Sequence, residues 1–145
     1  MSDSNLIALY SGKILDLAAH IPLTGRLEAP DGSAKRRSPL CGSSITVDLT
    51  LTEGRITGFA QDVRACALGQ ASASILGAVV LGRSPEEIRQ ARDQLKAMLA
   101  EGAAPPDAPF DGYAVLIPAR DFTNRHASIL LALEATSDAL SAAGL

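Results

Sequence analysis

Apolar and polar residues alternate strictly from Ser44 to Leu51, and this is the clearest pattern in the chain. Ile45, Val47, Leu49 and Leu51 fall on one face, and Thr46, Asp48 and Thr50 fall on the other. Successive side chains of a strand point to opposite faces of a sheet. The segment is therefore predicted to be a strand with one buried face and one partly wet face.

A second strand is predicted to follow directly. Glu53-Gly54 is a turn signal, and Arg55–Arg64 is predicted to pair with the first strand in an antiparallel hairpin. In this second strand we expect Ile56, Gly58 and Ala60 on one face and Phe59 near the other.

Four further segments place apolar residues at the spacing of a helix. The predicted helices run from Leu6 to about His20, from about Leu68 to Leu81, from Ser84 to about Glu101, and from about Arg125 to Ala142. Ser84-Pro85-Glu86-Glu87 carries the start signals of a capping box, with Pro at the first helical position. The helix after Leu68 consists mostly of small residues, which we expect to let it lie close against the sheet.

The connecting segments are rich in proline and glycine. Residues 21–38 are predicted to form a loop-rich arm with a short extended piece near 33–37, and residues 102–112 a loop. Tyr113–Pro118 is predicted to be a turn or a packed extended piece. Together the elements predict one α+β domain over residues 1–145, with a small antiparallel sheet of about three strands and helices mainly on one face.

Composition excludes several classes of function. The net charge of −3 gives no electrostatic reason to expect nucleic-acid binding. No run approaches the roughly 20 apolar residues of a membrane span, and the N-terminus does not resemble a signal peptide, so we expect a cytoplasmic protein. The basic run Lys35-Arg36-Arg37 is interpreted as a solvated strand edge or loop, with a partner-docking patch as the alternative.

Common catalytic motifs are also missing from the sequence. Gly69-Gln70-Ala71-Ser72 lacks the lysine of a phosphate-binding loop. Ser43 and Ser44 lack the Gly-x-Ser-x-Gly turn of a serine hydrolase. The carboxylates are scattered on predicted solvent faces, and no pair is positioned for acid–base catalysis.

The two cysteines flank the predicted hairpin, one before its first strand and one after its second. The antiparallel arrangement therefore allows Cys41 and Cys66 to meet at one end of the sheet. Gly42 permits a tight backbone after Cys41, and Cys66 lies at a helix N-terminus, where the dipole and free N–H groups favour a thiolate. The alternative is that both are small buried hydrophobic residues, since free Cys is often buried.

His126 is predicted to open the last helix. Beside two thiolates, its neutral imidazole would form a Cys2His set with one coordination position open, which suits zinc or iron. The alternative is a surface or capping histidine, and we interpret His20, near Pro22 at a helix end, as such a surface residue.

Several motifs resemble the U-type iron–sulfur cluster scaffold family, that is, IscU, SufU and the N-terminal domain of NifU. They cover most of the chain and comprise Tyr10-Ser11-Gly12-Lys13-Ile14-Leu15-Asp16, Leu40-Cys41-Gly42, Cys66 with Gln70-Ala71-Ser72-Ala73-Ser74, Gly82-Arg83-Ser84, Pro118-Ala119-Arg120 and Arg125-His126-Ala127-Ser128-Ile129-Leu130. The resemblance implies the SufE/NifU-like (IscU-like) fold and a metal or cluster site.

This chain departs from the family pattern, which has three cysteines and an Asp just after the first Cys-Gly. The first two cysteines correspond to Cys41 and Cys66, and the Asp corresponds to Ser43, a poorer ligand and at most an auxiliary one. The third cysteine is missing. In a SufU-like alignment His126 takes its place, whereas in an IscU-like alignment His126 matches the preceding His and Ala127 replaces the cysteine.

The resemblance implies a scaffold and not a turnover enzyme. Cys41, Cys66 and His126 would bind iron, a 2Fe–2S cluster or zinc, within one chain or across a homodimer. A cysteine desulfurase would supply sulfur, and a cluster-acceptor protein would receive the product. The alternative is a zinc-bound or metal-free regulatory adaptor that docks on cluster-assembly proteins; a hydrolytic zinc enzyme is disfavoured because no general base is evident.

Overall fold

The computed structural model describes residues 10–40 and 42–145 of the chain. The regular elements are, in order, α1 (Gly12–Ala19), β1 (Gly32–Arg37), β2 (Ser44–Thr52), β3 (Arg55–Arg64), α2 (Ala67–Val79), α3 (Pro85–Glu101), two 3-10 segments (Phe110–Asp121 and Thr123–Arg125) and α4 (His126–Ala142). The strands form one antiparallel sheet in the order β1-β2-β3. The predicted α+β class with a three-stranded sheet and packed helices is confirmed.

The buried face of the sheet differs from the prediction in β3. Phe59 lies on the buried face together with Ile56, and not on the opposite face. The register between β2 and β3 shifts after Thr50, so that Thr57 is an extra residue and the alternation in β3 is offset by one. Gly58 and Ala60 therefore point to the other face.

Helix α4 covers the sheet. It packs against β1 and β2 and also contacts α2 and α3. The backbone of Gly32 in β1 lies directly against the carbonyl oxygen of Ala139, where any Cβ would collide. The edge strand β1 is further fixed by Arg36, which pairs with Glu134 and Asp138 of α4. Lys35 and Arg37 are exposed, as expected of a solvated strand edge.

Helix α2 packs between α1 and α4, and not mainly against the sheet as predicted. The space over β1 and β2 is already filled by α4. The small residues of α2 make this packing possible: Ser72 donates a hydrogen bond to the carbonyl oxygen of Ile129 (2.5 Å), and Ser74 donates one to that of His20 (3.4 Å). The Ala-Ser-Ala-Ser motif thus joins α2 to helices on both sides.

Most of the predicted helix boundaries are close to those observed. The capping box of α3 is present, with Ser84 and Glu87 each accepting a hydrogen bond from the other's backbone N–H. Helix α2 ends at Val79, earlier than predicted, because the following turn pairs with the edge of β3: Gly82 N–H donates to Ile56 O (2.7 Å). The predicted start of the first helix at Leu6 lies outside the described residues.

The apolar run 113–118 is neither a turn nor an extended piece. It lies within the long 3-10 segment, where Tyr113 and Leu116 are fully buried. Burial raises the pKa of Tyr113 well above its usual range, so its hydroxyl stays protonated and donates to Ser72 O (3.5 Å).

Within the described residues, no helix is long and apolar enough to cross a membrane.

Asp48 lies on the outer face of β2, yet it is fully buried, contrary to the expected wet face. The arm between α1 and β1 covers it, and residues of this arm and of β1 donate hydrogen bonds to it. Arg26 donates through Nε (2.7 Å) and Nη2 (3.2 Å), Leu27 through its backbone N–H (3.0 Å), and Ser33 through its hydroxyl (2.5 Å). The hydrogen bond from Arg26 is the main reason that the pKa of Asp48 is lowered, despite its burial.

We expect Asp48→Asn to lower the free energy of unfolding by about 2 kcal/mol at pH 7, because it removes a buried charge from its hydrogen-bonded partners. A lowered folded-state pKa stabilises the protein above the ordinary Asp pKa of about 3.9, and this stabilisation is lost as the pH falls through the folded pKa. Urea denaturation at pH 7 and in acid measures both effects. The control is Asp62→Asn, since Asp62 is partly exposed and its ion pair with Arg64 is long, at 3.8 Å between Oδ2 and Nε. Equal losses in the two variants would contradict the assignment.

Candidate functional site

The register of the sheet brings the segments that flank both cysteines to the same end. Ser44, the first residue of β2, pairs with Arg37 on one side and with Arg64, the last residue of β3, on the other. Cys66 follows Arg64 by two positions, and Cys41 precedes Ser44 by three. Cys41 itself lies outside the described residues, so its place at the site stays a prediction.

The turn between β1 and β2 is closed by backbone hydrogen bonds on either side of position 41. Ser38 N–H donates to Ser43 O (2.8 Å), and Gly42 N–H donates to Ser38 O (2.9 Å). Gly42 has a φ of +68°, a conformation that favours glycine and agrees with the predicted tight backbone. In this turn Leu40 is 74% exposed, whereas the hydroxyl of Ser38 is buried and has no hydrogen-bond partner within the described part of the chain.

Cys66 lies at the N-terminus of α2, as predicted, in the N-cap position and without a side-chain capping hydrogen bond. Its backbone is extended (φ −65°, ψ 170°), and its carbonyl oxygen accepts the first helical hydrogen bond, from Gln70 N–H (2.9 Å). The residue is only partly buried and its thiol is free. Cys66 is therefore not fully buried, although it packs against the hydrophobic core.

Ser43 connects three elements at this end of the sheet. It is 2% exposed, and its Oγ accepts hydrogen bonds from the backbone N–H of Cys66 (3.4 Å) and from the hydroxyl of Ser128 (3.1 Å). Ser128 is fully buried in the first turn of α4. Ser128 belongs to the motif that runs from Arg125 to Leu130, but a small polar residue beside an apolar helical stripe does not by itself indicate a role.

His126 is the first residue of α4, as predicted. Its Nε2 lies 3.0 Å from Ala119 O and 3.1 Å from Arg120 O. Carbonyl oxygens only accept hydrogen bonds, so Nε2 carries the proton, and in the neutral ring the lone pair is on Nδ1. Metal-binding histidines commonly donate their second N–H to a carbonyl in this way. The structure thus holds the imidazole in a tautomer that can bind a metal through Nδ1.

The turn that orients His126 is itself anchored by Arg120. The guanidinium donates through Nε to Met98 O (2.7 Å) and through Nη2 to Ala103 O (2.7 Å), at the C-terminus of α3. Helix C-termini present unpaired carbonyl groups that a cation satisfies well. The Pro118-Ala119-Arg120 motif therefore fixes the carbonyl groups that His126 contacts.

The N-terminal ends of α2 and α4 lie close together at Gly69. A Cβ on Gly69 would lie 2.8 Å from the Cβ of Ala65 and 3.2 Å from Ser128 O. This close approach brings the helix capped by Cys66 beside the helix opened by His126. His20, by contrast, is 74% exposed and contacts Asp16, which confirms that it is a surface residue.

The described residues do not by themselves complete a metal site. In ranges 10–40 and 42–145, no three His, Cys, Asp or Glu side chains form a group that could hold a metal ion. A ligand set that includes Cys66 and His126 therefore needs a ligand from beyond the described residues, such as Cys41, or from another molecule.

Comparison with known proteins agrees with this architecture. The family model for the NifU-like N terminal domain matches residues 9–115, a range that includes Ser43 and Cys66 and ends before His126. The structure of a nitrogen-fixing NifU-like protein (N-terminal) from Brucella abortus is 38% identical, with a TM-score of 0.94 over 97% of each chain.

A second structure is similar at lower identity. It is a proposed iron–sulfur cluster assembly scaffold protein for the SUF system from Fervidobacterium islandicum AW-1, with a TM-score of 0.81 and 19% identity over 92% of this chain and 98% of that chain. A comparison with curated proteins gave no match. From the family match and the Brucella structure, the chain belongs to the NifU-like N-terminal domain family, which confirms the predicted U-type scaffold membership.

We expect Gly69→Ala to lower the free energy of unfolding by about 1–3 kcal/mol, because the added methyl group would overlap Ala65 and crowd the first turn of α4 at Ser128. Gly12→Ala is the control, since a Cβ at Gly12 meets no atom of the described residues within 4 Å. Urea denaturation of the metal-free variants measures the difference. A Gly69→Ala protein as stable as Gly12→Ala would show that the two helices are not in close contact at this point.

Proposed function

We propose that this protein is an iron–sulfur cluster assembly scaffold that binds iron and sulfide through Cys41, Cys66 and His126 and passes the cluster to an acceptor protein. The observation that carries the proposal is the position of Cys66. It is a partly buried free cysteine at a helix N-terminus, joined through Ser43 to the helix that His126 opens. Membership in the NifU-like family supports the scaffold role in general.

The proposed ligands have the chemistry that a transferable cluster requires. Thiolates and imidazole both bind iron, and imidazole in place of thiolate is known in 2Fe–2S centres. Two thiolates and one imidazole leave one position of a tetrahedral site open. A ligand from an acceptor protein, or from a second copy of this chain, can enter there and draw the cluster away.

Sulfur would arrive from a cysteine desulfurase. In this step the thiolate of Cys41 or Cys66 attacks the terminal sulfur of the desulfurase persulfide; a new S–S bond forms on the scaffold, and the desulfurase leaves as a thiolate. An external thiol or electron-transfer protein would then supply the two electrons that convert this sulfur to sulfide. The partial exposure of Cys66 is compatible with such an attack. The proposal further places one domain over residues 1–145 in the cytoplasm, acting without enzymatic turnover of its own.

A second candidate is a zinc-bound or metal-free adaptor that docks on cluster-assembly proteins. It is favoured by the neutral hydroxyl of Ser43 at the position of the family Asp, since its oxygen already accepts two hydrogen bonds. Zinc also accepts a Cys2His set. The two candidates differ in what the purified protein binds.

Anaerobic reconstitution with iron, sulfide and a cysteine desulfurase tests the proposal. We expect the wild-type protein to develop the visible absorption of a 2Fe–2S cluster, and Cys41→Ala, Cys66→Ala and His126→Ala to lose most of the bound iron while remaining folded. His20→Ala is the matched control and should bind as much iron as the wild type, because His20 is a surface residue. Iron analysis and circular dichroism measure the two properties.

Two results would contradict the proposal. Equal iron content in all four variants would exclude the assigned ligands. Tight stoichiometric zinc without any cluster in the wild type would instead support the adaptor.

A further inference from the structure

We infer that Ser43 is a positioning residue that fastens Cys66 to helix α4 through a hydrogen bond with Ser128, and that it is not a ligand of the bound iron. This inference deepens the proposed function and rests on it for the identity of the metal ligands. The hydroxyl pair itself exists without metal, so it can be tested separately.

The hydrogen bonds of Ser43 occupy both lone pairs of its neutral hydroxyl. A serine hydroxyl has two lone pairs and one proton. Its Oγ accepts one hydrogen bond from the Cys66 backbone and a second from the Ser128 hydroxyl. Coordination of iron would require one of these bonds to break. Both serines are almost completely buried, and a buried donor left unpaired costs about 1–3 kcal/mol.

The same two bonds control the relative position of the ligands. The bond to Cys66 is made with its backbone N–H, so it holds the cap conformation from which the thiol projects, and it leaves the sulfur atom available. The bond to Ser128 holds the first turn of α4, two residues after His126. A single hydroxyl thus links the start of β2 to the segments that carry two of the proposed ligands.

A double-mutant cycle distinguishes positioning from ligation. The variants are Ser43→Ala, Ser128→Ala and the double substitution, and Co²⁺ alone is the metal probe. In metal-free protein, we expect the double substitution to lower the free energy of unfolding by about as much as the more destabilising single substitution alone. The reason is that each substitution breaks the same bond. With Co²⁺, we expect each single variant to bind several-fold more weakly, with the d–d and sulfur-to-cobalt bands at unchanged wavelengths because the ligands are unchanged.

Ser137→Ala is the matched control. Ser137 is also a buried serine of α4, but its hydroxyl accepts hydrogen bonds from Arg89 and Arg92, not from residues of the candidate site. This variant should bind Co²⁺ as tightly as the wild type. Stability is measured by urea denaturation, and affinity and band positions by titration under the same folded conditions.

Two outcomes would overturn the inference. Additive losses of stability in the cycle would show that Ser43 and Ser128 do not act together. A shift of the cobalt bands in Ser43→Ala but not in Ser128→Ala would show that Ser43 is a ligand. If the wild type bound no Co²⁺ and no cluster, the proposed function would fail, and the metal-free cycle would still decide whether the two hydroxyls are coupled.

Discussion

Strands β2 and β3 pair antiparallel with Ser44 opposite Arg64, and this register determines where the candidate site lies. Because the hairpin returns the chain to its starting point, the segments before β2 and after β3 meet at one end of the sheet. Cys66 then begins α2 within hydrogen-bond reach of Ser43. A register shifted by one residue would turn the buried side chains of β2 towards the opposite face and separate these groups.

Helix α4 combines a structural and a functional role. Along its length it covers β1 and β2, and its first turn carries His126 and Ser128. Small residues allow this arrangement: Gly32 admits the helix close to β1, and Gly69 admits it close to α2. The core that stabilises the fold therefore also sets the position of the imidazole, so that core mutations at these glycines are expected to disturb the site.

Most of the polar groups described at the candidate site already have hydrogen-bond partners. Ser43 and Ser128 bond to each other, and His126 donates to two backbone carbonyl groups. Such prior ordering lowers the entropic cost of binding a metal, since the supporting groups are already in place. Among the described residues, the buried hydroxyl of Ser38, three positions before Cys41 in the sequence, is an exception because it has no hydrogen-bond partner.

Much of the fold could be predicted because its signals are local. The alternation in β2, the turn at Glu53-Gly54 and the capping box at Ser84 each act over a few residues, and the structure contains all three. The extra residue at Thr57 escaped prediction because a strand pattern does not show which residue its partner skips. The burial of Asp48 depends on Arg26, which is 22 positions away.

At the candidate site, too, the short motifs could be predicted and the contacts between residues distant in sequence could not. The resemblance to the U-type family pointed to Cys41, Cys66 and His126 from short motifs, and the structure places two of these at adjoining helix N-termini. The bond between Ser43 and Ser128 joins residues 85 positions apart, and neither has a sequence pattern that indicates it. The sequence motifs suggested which residues bind the metal, whereas only the folded structure shows which residues position these ligands.

X-ray absorption spectroscopy at the iron edge of the anaerobically loaded protein tests the central claim most directly, because it reports the atoms bound to iron. The proposed site predicts a first shell dominated by sulfur, with a nitrogen contribution and the outer-shell scattering of one imidazole ring that disappears in His126→Ala. A first shell of oxygen and nitrogen without sulfur, or an imidazole signal that survives in His126→Ala, would contradict it.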